Sequence, residues 1–303
     1  MAGFPPASGW WNTILIYIRI APDTTFMYTH TDFSAVLFRF PDEDPCCRDA
    51  AVLVTLGEGA VVLAVRLADY AQSLPGTNWM KMLGTLAATP LTIEQLLHQA
   101  SHVPCIIAIS GTLTDEDTLL AKQLVQLGGH CTVVVDATTQ IRPEWKSVIR
   151  LPPHRSRDAQ WAWGMRVYMD AMLNRGLICL EPADILACTE NRLSQFTVVH
   201  AKGEGRTMTG VEQAMQSLMT RCDLKACDTF LLLFHTGPGI RLKELHLGIQ
   251  TFKSAIKAQL GEDFLLMVGH IPSEGVEFAV SLMAGMLGFR KCREPKGQTT
   301  NSW

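Results

Sequence analysis

Short apolar runs alternate with stretches of helical periodicity from residue 51 onward, and this alternation limits the fold more than any other feature of the chain. Between two of the runs, Leu120, Leu124 and Leu127 lie on one face of a predicted helix. Strands that alternate with helices in this way are typical of an α/β fold with a parallel sheet. The predicted strands of this region are residues 52–56, 105–110 and 131–135.

Changes in composition divide the chain into five predicted segments. Two β-rich runs precede a proline-rich stretch, a long apolar stripe marks a connecting helix, and the last residues are polar. The segments are a strand-containing N-terminal extension (1–50), an α/β lobe (51–156), a connecting helix (157–176), an α+β lobe (177–289) and a polar tail (290–303).

The α+β lobe has a predicted order of strands and helices of its own. Thr209 and Glu212 predict a capping box before a helix that ends near Met219. Farther along, a strand at 229–234 precedes an amphipathic helix at 241–260. Two more strands are predicted, at 264–268 and 276–282.

Composition excludes several classes of function. The 303 residues are 48% hydrophobic and 18% charged, which is enough to bury a large core. The formal charge is −3, from 26 basic and 29 acidic residues, and no basic block predicts nucleic-acid binding. Apolar stretches are too short to span a membrane, and no secretion signal is evident at the start. We therefore expect a cytoplasmic protein.

Neither the cysteines nor the histidines predict a metal site. The nine cysteines include no Cys-x-x-Cys pair, so they indicate neither zinc nor a disulfide framework. His98 and His102 have helical i, i+4 spacing, but no glutamate or cysteine completes a ligand set beside them. We expect no bound metal.

Three stretches in the second half carry a family resemblance. Residues 176–185 have the sequence GLICLEPADI, residues 202–206 have KGEGR before a helix that contains VEQAM, and residues 229–244 have TFLLLFHTGPGIRLKE. In this order they resemble the tubulin/FtsZ superfamily: the loop after its central helix, its glycine-rich turn with an arginine, and its strand, turn and helix. The resemblance implies a two-lobe fold, with a Rossmann-like N-terminal lobe, a central helix and an α+β C-terminal lobe.

The resemblance also implies a nucleotide site in the first lobe, where the family binds GTP with glycine-rich loops. Here those loops are reduced to Gly57 and Gly59 after one strand, and to Gly111 and Thr112 after another. The segment 111–117, GTLTDED, then puts three carboxylates at a helix N-terminus. Each would repel a phosphate charge about 5 Å away by roughly 3 kcal/mol at an effective dielectric near 20. We therefore expect vestigial loops and no cofactor.

The same acids have a structural explanation. Thr114 and Asp117 fit a capping box, and acids in a first turn offset the helix dipole. The helix would then cap itself and would not serve as a phosphate site.

In the family, a second loop supplies acids to the nucleotide of the neighbouring subunit. Glu181 and Asp184 occupy the positions of those acids, and Cys179 replaces the family's asparagine. They are therefore candidate partner-facing acids, and no residue is assigned a catalytic role. Alternatively, Pro182 begins a helix and the acids are ordinary N-terminal residues. Arg206 also has two explanations, a functional arginine or an ordinary solvated or ion-paired one.

The resulting hypothesis is a non-hydrolysing FtsZ/tubulin-like scaffold or regulator, a pseudo-GTPase in a cell-division or cytoskeletal process. It would self-associate or dock on an FtsZ-type polymer through the family's longitudinal interface. The alternative is a divergent GTP-binding, polymer-forming GTPase, so enzymatic activity stays open. A third possibility is an unrelated adaptor with the same architecture.

Overall fold

The computed structural model describes residues 15–18, 34–39, 49–57, 94, 97, 98, 101, 105–109, 111–127, 131–152, 161, 164, 176–272 and 278–287. Its strands are β1 Leu15–Ile18, β2 Ser34–Arg39, β3 Asp49–Leu56, β4 Cys105–Ile109, β5 Cys131–Val135, β6 Val148–Arg150, β7 Arg192–His200, β8 Cys227–Thr236, β9 Leu265–Pro272 and β10 Phe278–Leu287. The helices with described bounds are α1 Asp115–Gln126, α2 Pro182–Thr189, α3 Arg206–Met219 and α4 Leu242–Leu260, with a 3₁₀ turn at Leu224–Ala226.

All the described strands belong to one sheet, in the order β1-β2-β3-β4-β5-β6-β7-β10-β8-β9. Strands β1 to β3 form an antiparallel meander, and β3 to β7 run parallel to one another. Beyond them, β10 is antiparallel to both β7 and β8, and β9 is parallel to β8. The pairing of Val148 with Leu193 joins β6 to β7, so the sheet runs through both predicted lobes.

The α/β half is built around strands that are buried along their length. Every residue of β4 is buried, as are the last four residues of β5, which fits a parallel sheet covered on both faces. Leu120 and Leu124 of α1 pack into the same hydrophobic cluster, and Leu127 lies against it. The strands predicted at 105–110 and 131–135 and the apolar face of this helix are therefore confirmed.

A second hydrophobic cluster lies between α3, α4 and the strands β8 and β10. Phe230 of β8 meets Phe252 of α4 edge to face, with 5.3 Å between ring centroids. Leu245 and Ile256 of α4 are fully buried, and Ile249 and Leu260 pack at the edge. The amphipathic helix predicted at 241–260 is thus confirmed, while β9 and β10 extend several residues beyond their predicted C-terminal ends.

The predicted start of α3 is wrong. The helix begins at Arg206 after Gly205, whose φ of +71° lies in the left-handed region, and the Thr209 N–H already donates to the Gly205 carbonyl at 3.1 Å. Gly210 is therefore inside the helix and is not part of a cap. A Cβ there would lie 2.9 Å from Val280 Cγ2, so this glycine permits the close approach of α3 to β10.

Some predicted elements lie partly or wholly outside the described residues. Glu94, Leu97 and His98 are helical, in agreement with the helical spacing noted for His98. In the connecting helix, Trp161 is fully buried. His102 and the polar tail predicted at 290–303 lie outside the described residues. Among the described residues, no helix combines the length and the hydropathy needed to cross a bilayer.

Candidate functional site

The predicted nucleotide loops follow neighbouring strands at one edge of the sheet. Leu56 pairs with Ile109, and Ile109 pairs with Val135, so the carboxyl ends of β3, β4 and β5 are aligned. Gly57 and Gly111 come next in the chain with φ of +95° and +84°, a conformation that favours glycine. Thr112 is exposed, and Gly59 lies outside the described residues. This end of the sheet therefore has glycine turns at the positions where the family resemblance predicts a nucleotide site.

Helix α1, which starts beside Gly111, satisfies its own N-terminus. The Asp117 N–H donates to Thr114 Oγ1 at 3.1 Å, and the Thr114 N–H donates to Asp117 Oδ2 at 3.0 Å. This is the predicted capping box, and it is confirmed. Asp115 and Glu116 are exposed in the same turn. Two of the main-chain amides at this end are thus occupied, and the N-terminus of the helix carries negatively charged side chains.

Asp136 adds a further carboxylate at the same edge. Its Oδ1 accepts the N–H and the hydroxyl of Thr138 at 3.0 and 2.8 Å, and both groups of Thr139 at 2.8 Å. Burial raises the pKa of Asp136, but the hydrogen bonds from the two threonines outweigh it and the net pKa is lowered. Sequence analysis missed this residue, although an aspartate followed by threonines two and three positions later indicates such a turn.

The strand order gives independent information about this edge. In open α/β sheets, ligands bind outside the carboxyl ends of strands where the strand order reverses. In the described sheet, β3, β4, β5, β6 and β7 are neighbours in chain order, without a reversal between them.

A second candidate surface is the segment from Gly176 to Glu181, here called the acid loop. The His270 N–H on β9 donates to the Ile178 carbonyl at 2.9 Å, and the Leu177 N–H donates to His270 Nδ1 at 2.9 Å. The loop is therefore held against β9 by its main chain. Sequence analysis missed His270, because nothing in its spacing linked it to a segment 93 residues away.

Two features fix the histidine in this role. His270 is 5% exposed, and its Nε2 lies 2.8 Å from Thr236 Oγ1 on β8. Gly176 lies so close that a Cβ there would overlap the His270 carbonyl and ring. The first residue of the acid loop therefore has to be glycine.

Glu181 and Asp184 have different environments. Helix α2 begins at Pro182, and Asp184 Oδ2 accepts the Glu181 N–H at 2.9 Å, so Asp184 caps the helix. Glu181 is exposed, as are Cys179 and Leu177. Both acids therefore belong to a capping box at the start of α2, and the side chain of Glu181 is also exposed to solvent.

Arg206 does not lie with these acids. One of its Nη atoms is 3.7 Å from Glu244 Oε2, and its guanidinium is 5.5 Å from the centroid of the Phe278 ring. This arginine links α3, α4 and β10. Within the part of the chain that the structure describes, no group of three or more His, Cys, Asp or Glu side chains is arranged to hold a metal ion.

Comparison with known proteins concerns the fold alone. No protein-family model and no curated protein matches the chain. Among solved structures, it is similar to an empty FtsZ dimer from M. jannaschii, with a TM-score of 0.56, 14% identity, and coverage of 82% of this chain and 94% of that one. It is also similar to a tryptophan-to-tyrosine FtsZ mutant from M. jannaschii, with a TM-score of 0.50, 15% identity, and coverage of 71% and 76%. The chain therefore has a tubulin/FtsZ-like α/β fold, as the sequence predicted.

Proposed function

We propose that the protein is a non-hydrolysing FtsZ-like scaffold or regulator, which acts in the cytoplasm and associates with itself or with an FtsZ-type polymer through the acid loop. The observation that carries the proposal is the self-capped N-terminus of α1. Thr114 and Asp117 occupy, with their own side chains, the helix end at which the fold would otherwise offer main-chain amides to phosphate.

Electrostatics supports the loss of nucleotide binding. Asp115 and Glu116 are exposed beside the cap, and Asp136 follows the neighbouring strand. At about 5 Å and an effective dielectric near 20, each carboxylate would oppose a phosphate charge by roughly 3 kcal/mol before screening. Solvent screening reduces these energies at the exposed Asp115 and Glu116, but all three carboxylates act against a bound anion.

The acid loop supports an association role. Its main chain is fixed on β9, while Leu177, Cys179 and Glu181 are exposed on its outer side. A loop already held in one conformation loses little entropy on binding. One of the similar solved structures is itself an FtsZ dimer, which supports the choice of an FtsZ-type partner or a second copy of this chain.

Charge reversal at Glu181 tests this function. We expect the Glu181→Lys variant to weaken self-association, or co-pelleting with an FtsZ-type polymer, by about tenfold or more, because a like-charge contact at an interface costs more than about 1.4 kcal/mol. Sedimentation velocity and co-pelleting measure both. Glu212→Lys, at an exposed acid on α3, is the matched control. Asp184 is left intact because its carboxylate caps α2.

Two results would contradict the proposal. One is a wild-type chain that stays monomeric at high concentration and does not pellet with the polymer. The other is an equal effect of Glu181→Lys and Glu212→Lys, which would place the interface elsewhere.

A GTP-dependent polymer protein is the second candidate function. It is favoured by Gly57 and Gly111, which retain positive φ at the ends of adjacent parallel strands. Light scattering with and without GTP separates the two candidates, because only the GTPase requires the nucleotide for assembly. We expect scattering that does not change when GTP is added.

A further inference from the structure

We propose that His270 is the positioning residue of the acid loop, and that protonation of its ring in mild acid loosens the loop at Leu177. The inference rests on the proposed function, since it concerns the same surface. It adds a regulation by pH that neither the sequence nor the fold assigns to this chain.

The hydrogen bonds fix the protonation state of the ring. Because the Leu177 N–H donates to Nδ1 at 2.9 Å, Nδ1 is an acceptor and bears no proton. The single ring proton is then on Nε2, which donates to Thr236 Oγ1 at 2.8 Å. The docked loop therefore requires the neutral imidazole.

A second proton would break the contact. It would bind to Nδ1 and face the Leu177 N–H, which places two donors against each other. The remaining anchor is the bond from the His270 N–H to the Ile178 carbonyl, a main-chain bond that does not depend on the ring. Protonation therefore loosens the loop at Leu177 without removing β9 from the sheet.

The elements around His270 carry few titratable groups in the described structure. The acid loop contributes Cys179, whose thiol donates to the Gly176 carbonyl at 3.3 Å. Strand β8 contributes Thr236, since its neighbour His235 lies 2.8 Å from Ser281 Oγ of β10. On α2, which packs against β9, Asp184 is engaged with the Glu181 N–H. None of the hydrogen bonds to the ring in the described structure comes from a charged side chain.

The direction of the pH effect follows from burial. Burial lowers the pKa of His270 below its ordinary value of 6.5. The unfolded or undocked segment thus binds the proton more tightly than the docked one does. Docking is fully favourable above about pH 6.5 and is lost as the pH falls below that value through the lower pKa of the docked state.

Hydrogen exchange of the full-length protein tests the inference. In wild type, we expect the Leu177 amide to be protected at pH 7.5, and its protection, corrected for the intrinsic exchange rate, to fall up to about tenfold per pH unit below the pKa. Exchange in α1, at residues 120–124, serves as the internal control because that helix packs into the other hydrophobic cluster.

Three variants complete the experiment. His270→Asn keeps an acceptor for the Leu177 N–H but cannot titrate, so we expect protection that does not depend on pH. His270→Leu removes the acceptor and should leave Leu177 unprotected at every pH. If that variant fails to fold, Thr236→Val removes the partner of Nε2 and should shift the wild-type pH profile.

The inference is overturned if wild-type protection of Leu177 stays constant from pH 7.5 to the acid side, or if His270→Asn shows the same pH profile as wild type. Exchange is measured on the chain alone. Failure of the loop to respond to pH is therefore distinguishable from failure of the proposed function, which appears as absent association at pH 7.5.

Discussion

At the scale of single residues, two buried side chains determine the two candidate surfaces in opposite ways. Asp117 is 3% exposed and directs its carboxylate back to the main chain of Thr114, which closes the end of α1. His270 Nδ1 accepts a hydrogen bond from the Leu177 N–H, which holds the acid loop in place on β9. A buried polar group requires a hydrogen-bond partner. The partner of Asp117 is a helix end, which is thereby occupied, and the partner of His270 is a loop, which is thereby held in one conformation.

Gly210 provides a test of packing at this scale. In an exposed helix, Gly→Ala stabilises by about 1 kcal/mol. Here a Cβ would lie 2.9 Å from Val280 Cγ2 and 3.2 Å from a carbon of Phe278. We expect Gly210→Ala to lower the free energy of unfolding by about 1–3 kcal/mol in urea titrations. Gln213→Ala, at an exposed site of the same helix, should change little; a stabilised Gly210→Ala protein would disprove the close contact.

Two neighbouring thiols should differ in reactivity. The hydrogen bond from Cys227 and, less strongly, the charge of Arg221 lower the pKa of Cys222. The same hydrogen bond and burial raise the pKa of Cys227. We expect iodoacetamide at neutral pH to alkylate Cys222 before Cys227, because the thiolate is the nucleophile. Mass spectrometry of a time course measures the order, and earlier labelling of Cys227 would contradict the assignment.

At the scale of elements, helix ends account for much of the local structure. Helix α1 is capped by a side chain that precedes it, α2 begins with a proline and is capped from its third residue, and α3 follows a left-handed glycine. The first two arrangements satisfy amides that a helix leaves unpaired, whereas no side chain caps the start of α3. In the proposed function, the cap of α1 uses main-chain amides that a bound phosphate would need.

Removal of the cap on α1 should have a measurable cost. Thr114→Ala deletes the hydroxyl that accepts the Asp117 N–H. We expect the free energy of unfolding to fall by about 0.5–2 kcal/mol, the usual range for an N-cap serine or threonine. Chemical denaturation measures the change, with Gln123→Ala on the exposed side of α1 as the control. Unchanged stability would mean that the cap does not stabilise this helix.

Sequence reasoning succeeded where structure depends on near neighbours. The runs at β4 and β5 are apolar because both faces of the sheet are covered, and the cap at Thr114 involves a residue three positions away. It failed where the partner is distant in sequence. The capping box predicted at Thr209 and Glu212 was wrong because Gly210 lies inside α3, where its close contact, Val280, is on another element. His270 gave no signal because its partner, Leu177, is 93 residues away.

At the scale of the whole molecule, one sheet connects the two halves. Strand β6 pairs with β7, and Met286 on β10 packs at the edge of both hydrophobic clusters. The boundaries proposed for the two lobes stay a prediction. The closed helix end lies beside β4 and β5 in the first half and the acid loop lies on β9 in the second, so the two candidate surfaces can be altered separately.

The most direct test of the account is a calorimetric titration of the purified full-length protein with GTP and Mg²⁺, with an FtsZ-type protein titrated as the positive control. Because the N-terminus of α1 is capped by its own side chains and carries acidic residues, we expect no saturable binding up to about 1 mM GTP and no release of phosphate. Binding in the micromolar range with turnover would contradict the account and would identify the protein as a GTPase.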